Sequence, residues 1–301
     1  LMADSGPSIR PAAGDPEQYI RTDTVRRDLH RRSARSGVIQ MTGQLLQLLG
    51  YVIGGVTLAH LLTPADFGVF AMAGTLTVVV GTIRDFGFPM ATVHQEELDH
   101  ERVSALFRLT VKLSLLLFGV MVLSAPVLAW LYREPRLTPI TVTLALGTLA
   151  LGMSVQHESL LVLIDAVVVV SGLATGIGLA LLGAGYWALV WQVVAMEVSR
   201  AIGTWVACGW RPSLTPLPHE MAGLATLLSY AKHLTGYQVL MKLARNMDRV
   251  LVGYFGGAAA AGLYYNADRW AMYPIAQVFP PLQSVAVTGL AAGEDLVSID
   301  T

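Results

Sequence analysis

The sequence predicts an all-α integral membrane protein, a bundle of about eight transmembrane helices, on three observations. The first is composition: 54% of the 301 residues are hydrophobic and only 14% charged, with a mean hydropathy of +0.56. Soluble domains carry roughly 25% charged residues, so this chain has too little polar surface to cover a water-exposed globule. The second is the recurrence of apolar stretches at or beyond the ~20 residues that cross a hydrocarbon core. The third is the short punctuation between them, which joins neighbours as antiparallel pairs.

Residues 1–36 hold Pro7, Pro11, Gly14 and Pro16, followed by Arg21, Arg26, Arg27, Arg31, Arg32 and Arg35. This segment reads as a flexible basic tail, and Lys/Arg excess beside a first span tends to stay in the cytoplasm. The apolar stretch from Gly37 to Leu62 is longer than the ~7–15 residues of a signal-peptide core, so a retained first span is expected. The remaining spans are expected at about 69–93, 104–131, 139–162, 163–183, 185–209, 224–255 and 260–290. Breaks fall at Thr63 to Gly68, His94 to Arg102, Tyr132 to Arg136, Gly183 to Gly185 and Trp210 to Gly223. The last contains Arg211, Pro212, Pro216 and Pro218 and separates two lobes. The expected organisation is a tail over 1–36, a six-helix lobe over 37–209, a cytoplasmic linker over 210–223, and the first two helices of a second lobe with a polar ending over 224–301. One run resists the scheme. From Thr138 to Gly183 only Glu158 and Asp165 are charged, yet the run would make ~69 Å of helix against a core of ~30 Å. The chain must reverse near Gln156 to Ser159 with almost no loop, or a connecting segment is missing there.

Charged side chains in hydrocarbon cost roughly 2.5–3.5 kcal/mol each on insertion scales, so those inside spans should face a bundle interior or a wet cavity. In the first span Gln40, Gln44, Gln47 and Tyr51 share one helical face, which suits either interhelical hydrogen bonding or a cavity lining. In the seventh, Gln238, Lys242, Arg245 and Arg249 repeat at four, three and four, with Asp248 beside them. Three cations on one stripe suit a basic wall for an anionic ligand, since Arg offers forked donors to phosphate oxygens; a solvated rim is the alternative. The eighth span adds Asn266, Arg269, Tyr273 and Gln277 on one face with Asp268 adjacent, and the second holds Arg84-Asp85. Glu197 and Arg200 stand at i and i+3 and are expected to pair locally. Gly50 with Gly54, and Gly172 with Gly176, have the spacing that lets helices approach closely.

No H-E-x-x-H, G-x-S-x-G, Walker A or Asp-x-Asp motif is present, so transport outranks catalysis, and no catalytic residue, metal or cofactor is expected. The single cysteine, Cys208, excludes an internal disulfide and reads as a small buried residue. A near-zero net charge gives no reason to expect a nucleic-acid partner.

Several longer strings carry a resemblance: Ala59 to Phe70 with its Thr63-Pro64-Ala65-Asp66-Phe67-Gly68 core, Arg84-Asp85-Phe86-Gly87, Gly183 to Val190, and the block from Leu243-Ala244-Arg245-Asn246-Met247-Asp248 to Asn266-Ala267. Taken in order over about 37–290, they resemble bacterial polysaccharide-export flippases of the multidrug/oligosaccharidyl-lipid/polysaccharide exporter superfamily. The resemblance implies a multi-pass inner-membrane transporter, N-terminus cytoplasmic, that flips an undecaprenyl-pyrophosphate-linked saccharide by alternating access. Its partners would be that polyprenyl-linked saccharide, membrane lipids and other polysaccharide-assembly proteins. Arg84, Lys242, Arg245, Arg249 and Arg269 would then meet the pyrophosphate or acidic sugars. Asp85, Asp248 and Asp268 would carry a coupling proton or cation, and Gln40, Gln44, Gln47, Tyr51, Gln238 and Asn266 would line the cavity. Members of that superfamily have twelve to fourteen helices, so about eight here lead to the expectation of a truncated or internally deleted member. A multidrug or cation exporter of the same superfamily, or a non-transporting remnant, are the alternatives.

Overall fold

The computed structural model describes residues 43, 47–84, 100–153, 161–207 and 235–272. The basic tail, Gln40, Gln44, Asp85, Cys208 and the 210–223 linker lie outside the described residues. What is described is helical: α1 is Gln47–Leu61, α2 Pro64–Arg84, α3 His100–Tyr132, α4 Leu137–Gly152, α5 Leu161–Leu181 and α6 Trp187–Ala207. Residues 235–272 are also helical. Among the described residues three helices are long and apolar enough to cross a membrane, namely Pro64–Arg84, Phe107–Tyr132 and Ile164–Leu181, while Gln47–Leu61 and Leu137–Gly152 are apolar but shorter. With this content the chain is an all-α membrane protein.

The segment Thr63 to Gly68, expected as a connection, is instead the start of α2. Pro64 opens the helix where no N–H is needed. The Asp66 Oδ2 accepts the Thr63 N–H at 3.0 Å and its hydroxyl at 2.7 Å, and the Asp66 N–H donates to Thr63 Oγ1 at 3.3 Å. This is a reciprocal cap. The Asp66 Oδ1 also accepts the Tyr186 N–H at 3.1 Å, which ties the α1–α2 corner to the α5–α6 corner. Pro126 sits within α3, and the chain passes it as one helix.

The end of α4 also departs from expectation. The span expected over 139–162 stops at Gly152, with the Met153 N–H closing onto Ala150 and Leu151. Gly152 lies so close against Ser114 of α3 that a Cβ would collide with the Ser114 hydroxyl. The next described helix is Leu161–Leu181, so among its described residues the run from Thr138 to Gly183 holds two helices rather than one.

Residues 235–272 do not make one rod. Arg249 and Asp268 form an ion pair and the Tyr264 hydroxyl bonds Asp248, although nineteen residues of straight helix would span ~28 Å. The chain reverses at Gly257, whose φ of 72° is left-handed. We call the two arms α7 (235–256) and α8 (258–272); the reversal falls between the two spans expected there.

Helix α8 crosses α2 with backbones touching. A Cβ on Gly68 would meet the Ala258 carbonyl group, and one on Gly262 would meet the Pro64 carbonyl group. Small residues at such crossings are what allow helices to associate in lipid. Beneath the corners, Val69, Met72, Met121, Leu137, Ile140, Leu144, Val190 and Ala261 form one buried cluster, and Leu58, Phe67, Ala188 and Leu189 a second. Outward-facing Leu116, Val120, Leu123, Val127 and Trp130 follow one stripe along α3, at least 45% exposed throughout. That stripe suits contact with acyl chains.

Candidate functional site

A cavity of about 810 Å³ occupies the half of the bundle away from the corners at Thr63, Gly183 and Gly257. Its walls come from α1, α2, α4, α5, α6, α7 and α8. Glycines make room for it: Gly50, Gly54, Gly74 and Gly81 all lie on its lining. Four guanidinium groups, those of Arg84, Arg200, Arg249 and Arg269, line the cavity together with two carboxylates, Glu197 and Asp268.

Each side chain is positioned by a definite neighbour. Arg249 is ion-paired with Asp268 across the α7–α8 hairpin, donates to Asn246 Oδ1 at 2.9 Å, and lies 5.9 Å over the Tyr265 ring. Arg269 stacks over the Tyr51 ring at 4.2 Å, a cation–π distance, while the Tyr51 hydroxyl donates to the Arg269 carbonyl at 3.1 Å. Trp270 meets the same tyrosine edge-on. Thus α1 and α8 are joined at the cavity wall. Arg200 pairs with Asp165 of α5 at 2.8 Å, and Gln47 of α1 donates to the other Asp165 oxygen at 3.0 Å.

Of the residues singled out from sequence, Arg84, Arg249, Arg269, Asp268, Gln47 and Tyr51 come together on this lining. Lys242 and Arg245 do not line it; both are exposed on α7, as is Gln238. Asp248 is exposed, does not line the cavity, and accepts the Tyr264 hydroxyl. Asn266 bonds back to the Gly262 carbonyl of its own helix at 3.2 Å. Asp85, Gln40 and Gln44 fall outside the described residues.

Three lining residues were not anticipated as such: Gln192, Glu197 and Arg200. Gln192, Met196 and Arg200 recur every fourth residue and share one face of α6, which was the available signal. Arg200 was expected to pair within α6, whereas it is Asp165 on α5 that neutralises it. Glu197 turns instead toward α4, where Gly147 leaves space for its carboxylate.

The chain matches a family of polysaccharide biosynthesis proteins over residues 57–295. It is 24% identical over 241 residues to the teichuronic acid biosynthesis protein TuaB of Bacillus subtilis, covering 76% of this chain and 49% of that protein. It is 24% identical over 230 residues to the succinoglycan biosynthesis transport protein ExoT of Rhizobium meliloti, covering 72% and 45%. It is 22% identical over 247 residues to the lipopolysaccharide biosynthesis protein WzxC of Escherichia coli, covering 79% and 50%. The chain therefore spans about half the length of the curated relatives it matches. No solved structure matches it.

Proposed function

Because the chain belongs to the polysaccharide biosynthesis protein family matched over residues 57–295, we propose that it serves as a flippase. Its cargo is an undecaprenyl-pyrophosphate-linked saccharide, carried across the bacterial inner membrane for surface polysaccharide assembly. The observation that carries this reading is the cavity with four arginines on its walls. A multidrug or cation exporter would be served by a cavity richer in acids, and the four guanidinium groups against two carboxylates argue against it.

The chemistry follows from the contacts. A diphosphate offers oxygens that accept forked hydrogen bonds, for which a planar guanidinium is better suited than an ammonium. Arg249 is shared with Asp268, so an incoming phosphate competes with that carboxylate, and a proton on Asp268 frees the guanidinium for the ligand. Asp268 is accordingly the leading coupling group in this reading, with Asp248 and Asp85 as further candidates. Arg84 and Arg269 stand around the same space. Lys242 and Arg245 continue the stripe along α7 and serve as an electrostatic approach to it. Gln47 and Tyr51 supply polar contacts to sugar hydroxyls, and Gln40, Gln44, Gln238 and Asn266 extend the polar face.

The basic tail argues for a cytoplasmic N-terminus. With that orientation the cavity half of the bundle faces the cytoplasm, the side on which lipid-linked saccharides are made, and the Gly257 and Gly183 corners close the outer side. Alternating access then requires α8 to separate from α2 at Gly68 and Gly262.

The test is complementation of a flippase-deficient strain by the gene that encodes this chain, with surface polysaccharide stained and lipid-linked precursor quantified. Arg249→Gln with Arg269→Gln is expected to abolish surface staining and accumulate precursor at equal protein level. Normal staining in that double variant would refute the reading.

A further inference from the structure

A second cavity, of about 590 Å³, lies between the last turns of α3, the α3–α4 corner and α7. Pro126, Trp130, Arg133, Pro135 and Tyr254 are among its lining residues. Trp130 is 79% exposed and Tyr254 49%, so two amphipathic rings border a groove at the end of a spanning helix. Such rings settle at headgroup level.

Arg133 is unusual in its backbone. The Arg133 N–H bonds the Trp130 carbonyl and the Glu134 N–H bonds the Ala129 carbonyl, the paired closure of a helix C-terminus whose pivot residue is left-handed and normally glycine. At the end of α5 the same closure occurs, with Gly183 and Ala184 bonding Ala180 and Leu179, and there the pivot is Gly183 at φ 76°. At the end of α3 the pivot is an arginine at φ 54°, the one left-handed non-glycine among the described residues. Strain of this kind persists where something else is gained.

The neighbouring charges sharpen the point. Arg136 is forked onto Glu134 at 2.8 and 2.9 Å and lies 5.7 Å over the Tyr186 ring. The Arg136 hydrogen bond holds the Glu134 carboxyl below its ordinary range. Arg133 has no ion pair or side-chain hydrogen bond among the described residues. The corner thus presents one uncommitted guanidinium beside an aromatic groove, above the exposed Leu116, Val120, Leu123 and Val127 stripe of α3.

We propose that this groove binds an anionic phospholipid of the leaflet at the corner side, its phosphodiester on Arg133, its glycerol between Trp130 and Tyr254, and an acyl chain along the α3 stripe. The groove lies between α3 and α7, so the lipid wedges the first lobe against the α7–α8 hairpin.

Native mass spectrometry of the delipidated full chain, titrated with phosphatidylglycerol or phosphatidylcholine, tests this. Phosphatidylglycerol is expected to bind several-fold more tightly than phosphatidylcholine, whose choline competes for the phosphate. Arg133→Gln should weaken phosphatidylglycerol about tenfold, the loss expected for one charge-assisted hydrogen bond. Lys112→Gln, an exposed cation far down the same helix, should leave it unchanged. Arg133→Gly separates ligand from fold: it should raise the thermal midpoint of the lipid-free protein by relieving the left-handed pivot, yet lose phosphatidylglycerol as the Gln variant does. Retained binding in Arg133→Gly, an equal loss in Lys112→Gln, or no preference between the two lipids would overturn the proposal.

Discussion

Replacing Gly68 by alanine probes the crossing on which the cavity's geometry depends. The new Cβ would lie 2.6 Å from the Ala258 carbonyl carbon and 2.9 Å from the Gly262 nitrogen, whereas ordinary contact begins at 3.4 Å. The Ala258 carbonyl oxygen lies closer still, and all of these are backbone atoms, so no rotamer change relieves the overlap and α8 must retreat by more than about 1 Å. A gap of 0.5–1 Å forfeits a quarter to a half of each dispersion contact along the crossing, including the Phe67 and Phe70 rings on Tyr265. Overpacking of this kind costs about 1–3 kcal/mol, and the helix-propensity gain of alanine over glycine offsets at most ~1 kcal/mol. The net expectation is a loss of about 1–2 kcal/mol. Gly74 is the internal comparison, because it lies on the same helix and a Cβ there meets nothing within 4 Å; Gly74→Ala should gain ~0.5–1 kcal/mol. Unfolding by titrated SDS, followed by tryptophan fluorescence, measures both. Equal stabilisation by the two substitutions would refute the α2–α8 crossing, and with it the position of the arginine-bearing hairpin.

Asp66→Ala removes the acceptor for Thr63 and Tyr186 together and should cost about 2–3 kcal/mol in the same assay, from a lost helix cap and a stranded N–H; Asp66→Asn should recover part of it. Because the Glu134 carboxyl titrates below its ordinary value through the Arg136 fork, its stabilising contribution is complete above about pH 4.5 and fades as pH falls through the lowered value. The effect is under ~1 kcal/mol at so exposed a site, and midpoints measured between pH 3 and 6 should lose this acid-side slope in Arg136→Gln. Gly147→Ala pushes the Glu197 carboxylate off α4 and should reduce export several-fold with little change in protein level, read by surface staining. With Cys208 replaced, Ala65→Cys should react with an impermeant maleimide in intact cells, as the proposed orientation requires; protection until the membrane is permeabilised would reverse it.

Much of the bundle is legible in the sequence because lipid imposes a simple rule on it. Apolar runs of spanning length and Gly-rich corners such as Gly183-Ala184-Gly185 announce α5 and α6 directly, and the reversal at Gly257 falls where two spans were expected to meet. The start of α2 was missed because Thr63, Pro64 and Asp66 look like a loop when read by polarity, although a cap followed by proline is a helix-opening signal. Helix α4 was drawn too long because no charged residue, proline or further glycine follows Gly152 until Glu158, and it is packing against Ser114 that favours the small residue there. The cavity was half visible. Periodicity found Gln47, Tyr51, Arg249 and Arg269, since each lies on a polar face of its own helix. It misjudged Arg200, whose partner Asp165 stands on another helix, and pairings between helices leave no spacing to read. Lys242 and Arg245 share the stripe of Arg249 by spacing, yet the cavity ends before reaching them.

The central claim is that Arg249 and Arg269 recognise a lipid-borne diphosphate. Its most direct test is equilibrium binding of a short-chain prenyl diphosphate to the purified protein, with inorganic pyrophosphate as competitor. Loss of both guanidinium groups should weaken the probe at least about 150-fold, given ~1.5–3 kcal/mol for each charged hydrogen bond, with lysine at either position restoring only part because the fork is lost. Lys242→Gln with Arg245→Gln should slow association at low salt while changing the equilibrium affinity little. Unaltered affinity in the Arg249→Gln, Arg269→Gln double variant, or a wild-type protein that prefers organic cations to the diphosphate, would contradict the account.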